Sequence, residues 1–518
     1  MLQNDSTGQA QPGATRPISS RAHGDAARPV LTRRQVLTGV AGAAGLLVLG
    51  GCGRDASTAI GPVSDAVRRA EAARRGAGQR TVTAALTARP TTLDLGGPVV
   101  QTWAYSDVLP GPLLRAHAGD LLKVTLDNQL PAPTSIHWHG IALRNDMDGV
   151  PGVTQPPVAA GSRYAYEFTV PDPGTYFYHP HVGMQIDRGL YGALLVDDPA
   201  DPGRYDADWT VVLDDWVDGT GRSPDDILAA LSRTPGNNSG MGGGMGGGGE
   251  SMTSRLLGGA GDIAYPHYLA NGRVPASPQT LTGKPGQRAR LRLINAGSDT
   301  AFRVALGGHR LTVTHSDGYP VIPSTTDAVL IGMGERFDVE VVLADGAFPL
   351  VASAEGKNGQ TLTVVRTGTG PTPPADSRPA ELDRTVLLGT ELVAADAARL
   401  GPRKVDRTHT LVLGGGMGSY RWIINGKTFT ESTPLPVSQG QRVRLRYSNR
   451  TMMFHPMHLH GHTFQVAGGG ARKDTVIVRP MQQVDVDFDA DNPGQWVTHC
   501  HNIYHAESGM MVTVSYRA

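Results

Sequence analysis

The chain is 518 residues long, and its 47 Lys+Arg residues balance its 47 Asp+Glu residues, giving a formal net charge of +0 at pH 7. This balance excludes a strongly basic nucleic-acid binder and a highly acidic solvating chain, so we expect no nucleic-acid partner. The 2 cysteines exclude a disulfide framework and a four-thiolate metal site. With 39% hydrophobic residues, a chain of this length is expected to form roughly three domains of about 150 residues each. The 17 histidines are the unusual feature.

The first 51 residues have the pattern of an export signal. Arg33-Arg34 precede an uncharged run rich in Ala, Gly and Leu that is too short to span a bilayer comfortably. The paired arginines resemble a twin-arginine signal, and residues 49–52 (Leu-Gly-Gly-Cys) resemble a lipobox. We therefore predict a signal peptide over residues 1–51, a lipid anchor at Cys52 on the periplasmic side of the cell envelope, and a flexible tether over 52–80. An ordinary signal peptide with a chance cysteine is the alternative.

From residue 81 onward, short alternating runs are interrupted by Pro and Gly, and helical periodicity is nearly absent, which indicates an all-β architecture. One pattern, a Gly followed by an alternating strand that ends in Asn, occurs at residues 119–128, 286–295 and 440–449. The spacing between the copies is the size of a β-sandwich domain. The sequence therefore predicts three consecutive β-sandwich domains, over residues 81–201, 202–378 and 379–518.

Four His-x-His pairs lie in the first and third predicted domains. Side chains at i and i+2 of a strand point to the same face, so each pair presents two imidazoles side by side. Eight imidazoles from two related domains can converge only where those domains face each other, which predicts an interdomain cluster of several metal ions. The middle domain has no such pair, and we expect it to be a spacer with a Gly/Met-rich insert at 236–252. The pairs are His137/His139, His179/His181, His458/His460 and His499/His501.

Cys500 lies between the two histidines of the fourth pair, so its side chain must point to the opposite face of the strand from the two imidazoles. His455, His505 and Met510 are available as partners for this thiolate. Two imidazoles, one thiolate and a weak axial thioether are the ligands of a blue-copper electron-transfer site, whereas zinc favours a closed tetrahedral set. One strand would then connect a copper–thiolate centre to the imidazole cluster through a few covalent bonds, which is an electron path.

These motifs resemble the four signatures of the three-domain bacterial multicopper oxidases, the laccase and cuprous oxidase family, and the resemblance extends from about residue 85 to the C-terminus. It implies three cupredoxin-like Greek-key β-sandwich domains and four copper ions, with dioxygen reduced by four electrons to water. It also implies that Cys500 relays electrons through His499 and His501. The implied ligands are His455, Cys500, His505 and Met510 for type 1 copper, His137 and His458 for type 2 copper, and His139, His179, His181, His460, His499 and His501 for the type 3 pair.

The same resemblance gives two further candidates. Asp148 stands where bacterial relatives have an acid near the cluster, and a carboxylate is expected there because the reaction consumes protons. A turn residue is the alternative interpretation of Asp148. Met453 matches a substrate-copper methionine of the cuprous oxidases, although Thr451 stands where those proteins have an aspartate.

The methionines bear on the reducing substrate. Soft thioethers bind Cu(I), and Met452, Met453, Met457 and Met511 cluster in sequence around the type 1 ligands. We therefore predict an exported, monomeric, membrane-tethered oxidase that oxidises cuprous ion in copper tolerance, with phenol and diamine oxidation as a second activity. A laccase with an organic phenolic substrate and a non-catalytic copper-sequestering lipoprotein are the alternatives.

Overall fold

The structure is a computed structural model that describes residues 59–199, 201, 203–233, 252–416 and 419–518. The predicted signal peptide, Cys52 and the insert apart from Met252 lie outside these residues. Strands dominate the described ranges and form three successive two-sheet sandwiches, which confirms the predicted all-β fold class. Among the described residues, no helix is long and apolar enough to cross a membrane.

The first sandwich contains two four-stranded sheets with the strand orders β2-β1-β4-β6 and β3-β8-β7-β5. Its strands are β1 (Thr81–Asp94), β2 (Val99–Tyr105), β3 (Gly111–His117), β4 (Leu121–Asn128), β5 (His137–His139), β6 (Arg163–Thr169), β7 (Gly174–His179) and β8 (Gly192–Asp197). Leu122, Val124 and Leu126 of β4 are buried at alternate positions, as the sequence pattern requires for a strand with one face in the core.

The middle sandwich contains two six-stranded sheets, β12-β9-β14-β19-β16-β17 and β13-β21-β20-β15-β18-β22, with the short pair β10-β11 beside them. Its strands are β9 (Ala207–Trp216), β10 (Thr253–Ser254), β11 (Gly258–Gly259), β12 (His267–Ala270), β13 (Thr280–Thr282), β14 (Arg288–Asn295), β15 (Phe302–Leu306), β16 (Leu311–Ser316), β17 (Tyr319–Thr326), β18 (Ala328–Ile331), β19 (Arg336–Val342), β20 (Ala347–Ala354), β21 (Gln360–Arg366) and β22 (Val386–Leu388). Because β22 pairs with β18, this sandwich continues past the boundary expected at residue 378.

The third sandwich contains a six-stranded sheet, β24-β23-β26-β31-β28-β29, and a five-stranded sheet, β25-β33-β32-β27-β30. Its strands are β23 (Arg407–Gly415), β24 (Trp422–Ile424), β25 (Leu435–Ser438), β26 (Arg442–Asn449), β27 (His455–Leu459), β28 (Phe464–Val466), β29 (Arg472–Lys473), β30 (Thr475–Val478), β31 (Gln483–Asp489), β32 (Gln495–Cys500) and β33 (Met511–Arg517). The helices of the described chain are α1 (Asp65–Arg74), α2 (Pro224–Arg233) and α3 (Ile503–Glu507), and short 3₁₀ turns occur at Asn145–Met147, Gln185–Arg188, Ala380–Asp383, Gly389–Glu391, Asp396–Ala398 and Phe429–Glu431.

The internal repeat corresponds to the same strand in each sandwich, namely β4, β14 and β26. Each of these strands pairs in parallel with the strand that opens its sandwich, β1, β9 and β23. Each also ends in a fully buried asparagine, Asn128, Asn295 or Asn449. The amide Nδ2 of each asparagine donates to at least two backbone carbonyls, and Oδ1 accepts from a backbone N–H two residues later. The repeated Asn therefore satisfies buried backbone groups around the end of its strand.

The segment expected to be a flexible tether differs from that expectation where the structure describes it. Residues 65–74 form helix α1, which Ser64 caps by accepting from Val67 N. Glu71 in this helix is buried, and its Oε1 accepts from both N and Oγ1 of Thr169 in the first sandwich at 2.9 Å. Just before the helix, Ile60 N donates to Tyr516 O of the third sandwich at 2.9 Å. These contacts fix the segment against two domains.

Candidate metal centre

Cys500, at the end of β32, lies at the first candidate centre and is fully buried. Its Sγ lies 3.6 Å from His455 Nδ1 and 3.7 Å from His505 Nδ1, and the two ring nitrogens are 3.2 Å apart. Trp422 packs against His505 with ring centroids 3.9 Å apart. Burial raises the pKa of the Cys500 thiol, so a bound cation would be needed to hold it as a thiolate.

Hydrogen bonds on the far side of each ring orient the two histidines. His505 Nε2 lies 2.9 Å from Asp262 Oδ2, and His455 Nε2 lies 2.8 Å from Thr451 Oγ1. These contacts leave both Nδ1 atoms facing the sulfur, as partners of the outer ring nitrogen do in metal sites. Asp262 belongs to the middle sandwich, so the expectation that this domain is only a spacer is wrong.

The second candidate centre is the cluster of eight histidines between the first and third sandwiches. Neighbouring strands bring the pairs together, since His137 is opposite His179 in β5 and β7, and His458 is opposite His499 in β27 and β32. Across the domain boundary, His137 stacks on His460 and His139 stacks on His458, each with ring centroids 3.8 Å apart. Three groups of nitrogen ligand atoms lie within 4.8 Å of one another: His137, His139 and His179; His137, His458 and His460; and His181, His460 and His499.

Two buried aspartates each hold one of the stacked pairs. Asp148 Oδ1 lies 3.1 Å from His137 Nδ1, and its Oδ2 lies 2.9 Å from His460 Nδ1. Asp474 Oδ1 lies 3.1 Å from His139 Nε2, and the Asp474 carbonyl lies 2.9 Å from His458 Nδ1. A carboxylate or carbonyl oxygen only accepts, so each ring nitrogen in these contacts donates its proton. The opposite nitrogen of each ring is therefore left as a lone-pair donor.

The donor set fits metal ions. Among the described side chains, His137 Nε2, His139 Nδ1, His179 Nε2, His458 Nε2 and both nitrogens of His501 are buried without a hydrogen-bond partner. Buried polar atoms without partners are rare, and a metal ion satisfies such nitrogens. Burial lowers the pKa of His499 to about 3 and lowers those of His139, His179, His181, His458, His460 and His501 below their usual value, so these rings are neutral ligands at neutral pH.

The other predicted residues lie close to the first centre. Met510 is fully buried, and its carbonyl accepts from Cys500 N at 3.0 Å. Met453 is 6% exposed and forms an isolated bridge with Gly259 of β11. The Met453 carbonyl accepts from Thr451 Oγ1 at 3.0 Å, which connects this loop to the His455 hydrogen bond.

Two cavities approach the candidate centres. One, of about 200 Å³, lies between helix α2 and residues 262–266, and Asp262, Ile227 and Leu231 line it. The other, of about 490 Å³, is lined by His181, Val150 and Met511 at the junction of the first and third sandwiches. The first cavity thus reaches Asp262, which contacts His505 of the Cys500 centre, and the second reaches His181 of the histidine cluster.

The sequence did not predict the roles of Asp474 and Asp262 or the hydrogen bond from Thr451. Asp474 lies in the polar run 472–475, and a charged residue directly before the apolar residues Val476 and Ile477 was the available sequence signal. Asp262 is 243 residues from His505 along the chain and follows no ligand spacing. Only the folded arrangement brings it to the centre.

Three cupredoxin-like sandwiches that carry a Cys–His centre and a histidine cluster define a copper-dependent oxidoreductase. Multicopper oxidase profiles match the chain in succession at residues 87–201, 207–370 and 403–518. Over 472 residues the chain is 52% identical to the multicopper oxidase MmcO of Mycobacterium tuberculosis, covering 89% of this chain and 92% of that relative. The chain belongs to the multicopper oxidase family.

Further relatives show the range of this family. The chain is 29% identical over 536 residues to a copper resistance protein A homolog of Pseudomonas syringae pv. tomato, covering 82% of this chain and 90% of that protein. The crystal structure of a laccase from Botrytis aclada superposes with a TM-score of 0.67 at 26% identity, covering 84% of this chain and 88% of the laccase chain.

Proposed function

We propose that this oxidase takes single electrons at the Cys500 centre and reduces dioxygen by four electrons to water at the histidine cluster. The arrangement around β32 carries the proposal, because Cys500 Sγ faces His455 and His505 while the adjacent His499 ring lies among the cluster histidines. Copper ions bound at both centres would supply the one-electron redox chemistry. Cys500 and its neighbours would then be the covalent path between the centres.

The proposed ligands are distributed over four copper ions. His455, Cys500, His505 and Met510 would hold type 1 copper, and His137 and His458 would hold type 2 copper. The six remaining cluster histidines would hold the type 3 pair. Asp148 is the proposed proton donor, because its buried carboxylate lies inside the cluster, 3.1 Å from His137 Nδ1 and 2.9 Å from His460 Nδ1.

Cuprous ion is the proposed substrate. Met452 is 60% exposed and precedes the proposed substrate-copper ligand Met453. Thr451 Oγ1 contacts both the Met453 carbonyl and His455 Nε2, so a Cu(I) ion held by these thioethers would lie a few bonds from a type 1 ligand. A relative at 29% identity is a copper resistance protein, which also favours this substrate.

A laccase activity is the second candidate, and the small cavity at Asp262 favours it. Its mostly apolar lining suits a single aromatic ring, and the Asp262 carboxylate could accept a proton from a phenol or an aromatic amine. Oδ2 of this carboxylate contacts His505 Nε2 and accepts from Tyr420 Oη. A reductant in this cavity would therefore contact the Cys500 centre through one hydrogen-bonded pair.

Comparison of kcat/KM for Cu(I) with kcat/KM for a phenol and a diamine tests whether cuprous ion or an organic reductant is the substrate. Met453→Leu keeps the side-chain volume but removes the thioether, and we expect it to lower kcat/KM for Cu(I) about tenfold or more while leaving phenol oxidation unchanged. Ile227→Trp fills the cavity at Asp262, and we expect the opposite result for it: phenol oxidation should fall while kcat/KM for Cu(I) stays unchanged. Negligible Cu(I) turnover beside rapid phenol oxidation in the parent protein would establish the laccase alternative instead.

We further propose export by the twin-arginine route and a lipid anchor at Cys52, on the support of the sequence pattern. Cys52→Ala should release the mature oxidase from the membrane fraction into the soluble periplasmic fraction. Recovery of the variant in the membrane at the parent level would contradict the anchor. Size-exclusion chromatography of the released protein should give a monomer.

A further inference from the structure

Arg336, at the start of β19 in the middle sandwich, is fully buried where three domains meet. Its Nε donates to Thr175 O of the first sandwich at 3.0 Å, and Nη1 donates to Gly334 O at 3.0 Å. The same guanidinium binds Asp474 of the third sandwich at both carboxylate oxygens, with Nη1–Oδ1 at 2.7 Å and Nη2–Oδ2 at 2.6 Å. This bidentate pair fixes the plane of the carboxylate.

Asp474 passes this constraint to the histidine cluster. Its Oδ1, already bound to Arg336, also accepts from His139 Nε2 at 3.1 Å and from Thr475 Oγ1 at 2.9 Å. His139 Nδ1 and His458 Nε2 are the ring nitrogens left without a partner. The side of each ring that is free for a metal is thus set by Asp474.

A second buried charge group holds the backbone on both sides of this pair. Asp317 Oδ1 accepts from Arg336 N at 2.9 Å, and its Oδ2 accepts from the N–H groups of Asp474 and Thr475 at 3.2 Å. Lys473 Nζ lies 3.1 Å from Asp317 and 3.2 Å from Glu335, so the charges in this group are paired. Arg336 and Asp474 are therefore held in place by contacts within the protein itself.

We propose that Arg336 of the middle domain is a positioning residue for the trinuclear copper centre, acting through Asp474 on His139 and His458. The inference rests on the proposed ligand set. Without the guanidinium, the buried carboxylate loses its counter-charge and its fixed plane, so the acceptor of the His139 ring is no longer fixed. His458 Nδ1 keeps its bond to the Asp474 carbonyl at 2.9 Å, but the carboxylate oxygen that lies 3.4 Å away is free to move. The Cys500 centre makes no contact with Arg336 in the described hydrogen bonds, so its copper should be retained.

Arg336→Met tests this with copper content and the electron paramagnetic resonance signals of type 1 and type 2 copper in the reconstituted protein. We expect the type 2 signal to fall about tenfold or more relative to the type 1 signal. Arg292→Met is the matched control, because Arg292 is also a buried interdomain arginine but donates to Asp208, Thr175 and Asp338. Arg336→Lys keeps the charge but cannot span both oxygens, and it should give an intermediate signal.

An unchanged type 2 signal in Arg336→Met, or an equal loss in Arg292→Met, would overturn the inference. If Arg336→Met does not fold, the double variant Arg336→Met/Asp474→Asn removes both charges and should fold with the type 2 signal still lost. A parent-like type 2 signal in this double variant, or in Arg336→Lys, would also overturn the inference. A parent protein that gives neither copper signal after reconstitution would instead refute the proposed ligand set. The two failures are therefore distinguishable.

Discussion

Asp148 touches copper-site candidates from both outer domains, through His137 and His460. A carboxylate can accept from both ring N–H groups at once, whereas an amide offers one acceptor oxygen and turns an NH₂ donor toward the other ring. The residue therefore fixes which nitrogen of each ring is free to bind metal.

We predict that Asp148→Asn lowers the affinity of the cluster for copper by about 10- to 100-fold, the usual cost of losing a partner behind a metal-bound histidine. Copper retention against a competing chelator measures this. Asp146→Asn is the matched control, since Asp146 lies two residues away and pairs with Arg144. Equal copper retention in Asp148→Asn and the parent would refute this role of Asp148.

The sequence predicted those individual site residues whose spacing along a strand fixes the direction of their side chains. The i, i+2 rule placed the imidazoles of His137 and His139 on one face, and it placed the Cys500 sulfur opposite its histidine neighbours. Spacing carried no information about Asp262, Asp474 or Arg336, because these residues reach the centres from distant strands and loops. Their partners depend on how three domains pack, which no local pattern encodes.

At the scale of elements, β9 and β14 of the middle sandwich are joined by Asp208 and two arginines. Burial raises the pKa of Asp208, but hydrogen bonds from Arg292 and Arg290 outweigh it and lower the pKa from 3.8 to about 2. A carboxyl whose folded pKa lies below its unfolded pKa adds stability above the unfolded value, and this stability is lost as the pH falls toward the folded value.

Asp208→Asn should therefore reduce the free energy of unfolding by roughly 1 to 2 kcal/mol at pH 7, after allowance for partial exposure. The difference in Tm from the parent should shrink as the pH falls from about 4 toward 2, and calorimetry at several pH values measures it. Asp396→Asn, at a side chain that is 92% exposed, should have no effect. A Tm difference independent of pH would contradict the assignment to Asp208.

The elements themselves were largely predictable because the repeat marks equivalent strands. β4, β14 and β26 coincide with the three copies, and their terminal Asn residues have the same bonding role. Helix α1 was not predicted, because its composition of Ala, Arg and Glu also suits a flexible linker. Its order comes from tertiary contacts such as Glu71 with Thr169.

At the scale of the whole molecule, the histidine cluster is shared by two domains, so copper should stabilise their contact. A ligand that binds only the folded state at 100 times its Kd adds about 2.7 kcal/mol. We predict that copper removal lowers Tm and that re-addition of copper restores it, as measured by calorimetry. Identical transitions for the copper-loaded and copper-free proteins would show that the cluster does not bind metal across the interface.

The domain count was also predictable, but the role of the middle domain was not. Its lack of histidine pairs made it look like a spacer, whereas Asp262 contacts His505 from that domain. A domain without ligands can still control a centre through hydrogen bonds to its ligands, and such contacts leave no motif in the sequence.

Electrons from Cu(I) should reach dioxygen through Cys500. Oxygen uptake after addition of Cu(I) to the copper-loaded protein, compared with uptake by Cys500→Ser, measures this. We expect that four Cu(I) ions and four protons are consumed per dioxygen, that water is formed without peroxide, and that Cys500→Ser abolishes this turnover while retaining copper in the cluster. Uptake in Cys500→Ser at the parent rate, or no uptake in the parent, would contradict it.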